Sequence, residues 1–313
     1  MNLNKQDDPL FLKRLAKPSL PIDVILDTDT YNEIDDQYAL AFLVKLCEES
    51  KGKMQLRGIH AAPFLNNKSS SPGDGMEKSY DEIRRVLGLM NREDLIPLVM
   101  KGSSSFLSNE RDPVDSPSAR ALAELALGYT EERPLYCVAI GAITNVASAI
   151  LLQPEIINRM VVIWLGGHAH HWPDTAEFNM RQDVAAARVV FGSGIAVVQL
   201  PCMGVVSELR TSGPELEHHL RGKNSLSNYL LDTTAAQALE DEKIPTWTRV
   251  IWDVSAVGWL LDDDTYMEDY LCPSPIPQYD HHYSFDPARH PIRYVYRVHR
   301  DKLFLRLFTT LQG

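Results

Sequence analysis

The feature that most limits what this chain can fold into is its rhythm. Through the first two thirds, short apolar runs of strand length alternate with amphipathic stretches of helical length. The runs at 22–26, 56–61, 96–100, 135–140, 161–165 and 195–200 are often β-branched and predict strands, and 35–49, 76–89, 118–127, 144–152 and 183–191 predict helices between them. A βαβα order of this kind implies an α/β fold: a Rossmann-like, open, mainly parallel sheet flanked by helices. From 214 to 241 the pattern becomes helical and polar, 262–299 is rich in Pro, Tyr, His and Asp, and 301–311 predicts a closing helix. We expect a single domain over 1–313, with an N-terminal extension at 1–20 and an irregular C-terminal cap over 262–313 that ends in the short helix. The 44% hydrophobic content of 313 residues suffices for a core of that size.

At the first strand-to-helix junction the chain reads D-V-I-L-D-T-D-T-Y-N-E-I-D-D-Q-Y-A-L, which gathers Asp27, Asp29, Glu33, Asp35 and Asp36 at one turn. Like charges so close repel strongly in a low-dielectric setting, so a metal ion, a basic side chain or solvent must answer them. Ligands of open α/β sheets bind beyond the carboxyl ends of the strands, where Asp27 and Asp29 fall. Hard oxygen donors suit calcium or magnesium. Capping or complementing the helix dipole is the simpler account of Glu33, but four aspartates exceed what one cap requires.

Other classes are excluded by composition. A formal net charge of -11 argues against a nucleic-acid partner, whose phosphates are captured by concentrated Lys and Arg. The four cysteines, Cys47, Cys137, Cys202 and Cys272, lie far apart without a CxxC pair, so neither a zinc ribbon nor a disulfide framework is expected. The N-terminus lacks a signal-like apolar core, and no run of about 18 apolar residues predicts a membrane span. A cytoplasmic protein with no membrane partner is the expectation.

The acidic motif resembles the signature of the inosine-uridine preferring nucleoside hydrolases, D-x-D-x-G-x-D-D followed by a helix. Three further stretches match in order: G-A-I-T-N-V-A at 141–147, G-G with E-F-N between 166 and 179, and W-D-V-S-A-V at 252–257. The resemblance implies a calcium-dependent N-ribohydrolase acting on a small nucleoside, in a homo-oligomer (dimer or tetramer). It implies calcium ligands at Asp29, Asp36 and Asp253 and the carbonyl of Thr144. It also implies that Asp29 takes a proton from water made more acidic by the ion. Asp35, Glu177 and Asn179 match ribose-binding positions, Asp27 supports its neighbours, and an extended backbone at E-F-N would put both polar residues on one side.

The chain departs from the pattern in four places. The Asp29 to Asp35 loop is longer and carries Y-N-E-I where a glycine is usual. Trp252, rather than a histidine, precedes Asp253, which suggests activation of the base by stacking and a purine preference; packing is its simpler role. His171, among His168, His170 and Trp172, stands where relatives have asparagine and is a candidate substrate contact. Asn66 or Asn67 would replace an asparagine after the second strand.

Two other readings compete with hydrolysis of nucleosides. V-I-L-D-T-D-T also resembles the first motif of haloacid-dehalogenase-like phosphatases, with Asp27 as nucleophile and magnesium as cofactor, although the rest of that motif set lacks a convincing counterpart. Alternatively the chain is a non-catalytic, calcium-dependent nucleoside or sugar binder.

Overall fold

The computed structural model describes residues 5–242, 246–261 and 264–313. Residues 1–4 of the expected N-terminal extension and 262–263 of the expected cap lie outside the described residues. In chain order the elements are α1 (Pro9–Arg14), β1 (Ile22–Thr28), α2 (Asp35–Glu49), β2 (Met54–Ala61), α3 (Pro72–Leu89), β3 (Val99–Lys101), α4 (Pro117–Leu127), β4 (Leu135–Ala139) and α5 (Thr144–Leu152). They continue with β5 (Met160–Leu165), α6 (Phe178–Gln182), α7 (Val184–Gly192), β6 (Ala196–Leu200), β7 (Arg210–Ser212), α8 (Gly213–Leu220), α9 (Ser225–Glu242) and β8 (Thr248–Val250). The chain closes with α10 (Val254–Gly258), β9 (Met267–Pro273), β10 (Ile276–Pro277), β11 (Tyr283–Ser284), β12 (Pro291–Val298) and α11 (Arg300–Gln312).

Eight strands form one open sheet in the order β3-β2-β1-β4-β5-β6-β12-β9, all parallel except the last pair. Strand β1 is buried along its whole length, as a central parallel strand covered by helices on both faces must be. Its side chains alternate between two cores: Val24 and Leu26 join α2 and α11 on one face, and Ile25 joins α4, α5 and α7 on the other. From β1 the chain winds one way through β2 and β3 and the other way through β4, β5 and β6. The junction of β1 and β4 is therefore the switch point where a crevice opens at the carboxyl edge.

Two expectations are corrected. The third strand is only Val99–Lys101, because a 3-10 turn over Glu93–Leu98 that contains Pro97 takes up the start of the run. The C-terminal segment is not an irregular cap. Its M-E-D-Y-L-C-P and P-I-R-Y-V-Y-R-V runs form β9 and β12, which pair antiparallel and extend the main sheet beyond β6. Proline sits at the ends of these strands, at Pro273 and Pro291, where no interior ladder bond is lost.

Candidate active site

Four aspartates from three segments meet at the switch point. Asp29 follows β1, Asp35 and Asp36 form the first turn of α2, and Asp253 immediately precedes α10. Each is at most 3% exposed. Carboxylate oxygens of Asp35, Asp36 and Asp253 lie within 4.8 Å of one another. Neither oxygen of Asp29 has a hydrogen-bond partner, a costly condition for a buried carboxylate unless a cation answers it. Burial first, then Asp36 and Asp35, pushes the Asp29 carboxyl well above the usual carboxylate range. Asp35 and Asp253 are raised in the same way, again chiefly by burial and then by neighbouring acids. Asp36 is pushed up to about 7 by burial, even though the Thr28 hydroxyl donates to it and it shares a hydrogen bond with Asp253. An all-oxygen set of this density fits a hard divalent cation.

The surrounding loops hold these acids in place. The backbone N–H of Asn32 donates to the Asp29 carbonyl at 2.7 Å, closing the longer loop on itself. Asn66 Nδ2 donates to Asn32 Oδ1 at 2.7 Å and Lys68 Nζ to the Asn32 carbonyl at 2.7 Å. Gly141, in the β4–α5 loop, has room for no larger residue without crowding Asp29, since a Cβ there would lie 3.1 Å from its carboxyl group. Thr144 starts α5 beyond that loop, fully buried, with its hydroxyl donating to Asp183 at 2.7 Å. The next residue, Asn145, donates to Asp27 Oδ1 at 2.7 Å.

Asp27 is completely buried and does not line the chamber, and burial raises its carboxyl to about 7. A nucleophile must be reachable, so the phosphatase reading is withdrawn.

Asp29, Asp35, Asp36 and Asp253 form one end of a narrow chamber, and Glu177, Phe178 and Asn179 line it as well. The geometry of E-F-N differs from the expected extended strand. Glu177 is the N-cap of α6, and its carboxylate accepts the N–H groups of Asn179 at 2.8 Å, Met180 at 2.9 Å and Gly167 at 2.9 Å. Asn179 Nδ2 donates to the carbonyls of Ile140 and Leu165 at 3.1 and 3.0 Å, which leaves its Oδ1 as an acceptor. Glu177 thus braces the chamber wall, and Asn179 is the better placed to meet a hydroxyl.

Among the histidines, it is His168 that lines the chamber. The Trp172 N–H donates to the Ala169 carbonyl at 2.8 Å, turning the loop so that His171 is exposed outside the chamber lining. His168 Nδ1 accepts from the Met203 N–H at 3.3 Å, so the ring proton resides on Nε2, and burial lowers its pKa. Trp252 lies in the turn before α10 and lines the same chamber, half-buried and packed against the core. Asn66 reaches a neighbouring, larger chamber rather than this one.

A family model described as inosine-uridine preferring nucleoside hydrolase matches residues 24–276. A non-specific ribonucleoside hydrolase RihC of Salmonella paratyphi B is 32% identical over 164 residues, which cover 51% of this chain and 51% of the relative. The chain thus aligns with about half the length of the curated relatives it matches. Among solved structures, the fold is similar to a plant nucleoside hydrolase, with TM-score 0.73, 20% identity, and 94% of this chain and 99% of that one covered. It is also similar to a purine-preferring ribonucleoside hydrolase from Gardnerella vaginalis, with TM-score 0.69, 18% identity, and coverage of 93% and 98%. No helix among the described residues is long and apolar enough to cross a membrane.

Proposed function

The chain belongs to the inosine-uridine preferring nucleoside hydrolase family, and from that premise we propose that it hydrolyses the N-glycosidic bond of ribonucleosides with the help of calcium. The observation that carries this reading is the buried convergence of Asp29, Asp35, Asp36 and Asp253 on a chamber that Asn179 also lines. Asp29, Asp36 and Asp253, with the Thr144 carbonyl, are the groups that would hold the ion. When bound, calcium supplies the positive charge that keeps these carboxylates ionised and makes water a better acid.

The chain's own residues do the rest. Asp29 accepts the proton of the attacking water, whose oxygen joins C1′ as the C1′–N bond breaks. The bond's electron pair leaves with the base, which acquires a proton. Asp35 and Asn179 orient ribose hydroxyls, and the nearby carboxylates favour the oxocarbenium-like charge that develops on the sugar. Trp252 offers a stacking face to the base, which favours purines. We assign the proton donor for the departing nitrogen to His168, because it lines the chamber. The enzyme is a single domain whose subunits assemble as a homo-oligomer.

A reducing-sugar assay against inosine, adenosine, guanosine, uridine and cytidine, with and without chelator, tests this reading. We expect release of ribose that chelation abolishes and calcium restores. Turnover untouched by thorough chelation would overturn the metal assignment. Calcium-dependent stabilisation by nucleosides without ribose release would identify a binder instead.

A further inference from the structure

Past Asn32, Glu33 and Trp252, which line both spaces, the chamber of the acids opens into a second one. The inner space measures about 160 Å³ and the outer about 960 Å³. The outer value stands at the top of the roughly 300–1,000 Å³ range of pockets that hold drug-sized molecules. A bare nucleobase resting on Trp252 leaves most of it to water.

The outer walls are built rather than incidental. Gln37 is only 4% exposed and lines the space, and its Oε1 has no hydrogen-bond partner while its Nε2 donates to Glu82 at 3.3 Å. Four cations, Lys68, Arg85, Arg210 and Arg249, line the chamber against three acids, Glu33, Glu82 and Glu240, in a chain whose net charge is -11. The acids are partly answered from within. Glu82 is buried and accepts from the Tyr229 hydroxyl as well as from Gln37, and Glu33 lies 3.7 Å from Arg249. Arg85 spreads over the Tyr229 ring at 4.6 Å and lies 3.8 Å from the Glu82 carboxylate, so it and Glu82 form a second ion pair in the wall. Lys68 donates one proton to the Asn32 carbonyl and has others to give. With Arg249 beside Glu33 and Arg85 beside Glu82, the excess positive charge offered to a ligand is carried by Lys68 and Arg210, against Glu240.

We propose that this enzyme's substrate is a ribonucleoside whose base carries an anionic substituent, with the base on Trp252 and the substituent in the outer chamber. The proposal rests on the N-ribohydrolase reading and names its substrate class. A 5′-phosphate is the less suitable source of charge, because the inner chamber, where the sugar sits, is lined by the carboxylates of Asp29, Asp35, Asp36, Asp253 and Glu177. The substituent leaves unchanged on the released base.

The test compares, in calcium-supplied protein, adenosine bearing a carboxymethyl group on its exocyclic nitrogen with the neutral carboxamide of equal length. We expect kcat/KM to favour the acid by about tenfold, a preference typical of a charge-assisted hydrogen bond, and to lose that preference as salt rises. The exposed Arg210→Gln should reduce the preference while leaving kcat on unsubstituted nucleosides unchanged. Equal kcat/KM for acid and amide, with cleavage intact, would overturn the proposal. If no nucleoside is cleaved at all, the hydrolase reading fails, and calorimetric binding of the same two compounds then decides. Tighter binding of the acid would support an anion-selective chamber, and equal or absent binding would overturn it.

Discussion

At the residue scale, the site turns on which groups have partners and which do not. Asp29 is buried with both oxygens unpartnered, so Asp29→Asn removes the proposed general base and an unfavourable charge together. We expect kcat to fall by at least about a hundredfold, while the metal-free variant unfolds at a temperature no lower than the parent. Stopped-assay kinetics and thermal denaturation read the two effects. Trp252→Ala should raise KM for purine nucleosides roughly fivefold, about 1 kcal/mol of lost stacking, and change pyrimidine kinetics less; undiminished purine turnover would remove the stacking role. His168→Ala should lower kcat and His171→Ala should not, since only His168 lines the chamber. The acidic cluster was legible in the sequence because its members crowd one turn. The choice between His168 and His171 was not, because it depends on a loop turn that adjacent histidines do not announce.

At the scale of elements, the β1 and β4 termini and the first turn of α2 lie where apolar patterning and the switch-point rule put them. The position of α6 was hidden. E-F-N is too short to show a period, and only the observed cap, with Glu177 accepting from the N–H groups of Asn179 and Met180, reveals a helix start. That arrangement predicts that Glu177→Ala costs about 1 kcal/mol or more through loss of the cap, seen as a lower urea midpoint at unchanged slope. It should also raise KM for ribonucleosides, because Asn179 rides on the same turn. Strands β9 and β12 were obscured by the Pro, Tyr and His around them, and their burial does not alternate residue by residue, so no period-2 pattern marks them. The outer chamber could not be read from the sequence at all, because its walls come from separate segments around residues 31–37, 66–68, 82–85, 210, 229–240 and 248–252.

At the scale of the whole molecule, the buried acids make stability depend on pH and metal together. Burial raises Asp27 and Asp36 to about 7, and Asp29, Asp35 and Asp253 are raised as well. Where a folded-state pKa lies above the unfolded one, the folded state binds more protons, so unfolding free energy falls as pH rises between the two values. For Asp27 and Asp36 the window runs from the ordinary value of 3.8 to about 7. Metal-free protein should therefore lose thermal stability as pH climbs through that window. Added calcium should flatten the decline and contribute about 2.7 kcal/mol at a hundred times its dissociation constant. A scan of melting temperature against pH, with chelator and with calcium, shows whether the two curves diverge as expected.

The loop from Thr30 to Ile34 gains a different significance from its neighbours. Asp29 is anchored to a central strand and Asp35 and Asp36 to a long helix, so the segment between them is tethered at both ends by rigid parts yet carries none of the three acids that cluster within 4.8 Å. Its Asn32 and Glu33 instead line both the inner and the outer chamber, a doorstep between the two. A change in its length or composition can retune which molecules are admitted while the reacting centre stays as it is, which makes this stretch a natural place to graft new selectivity.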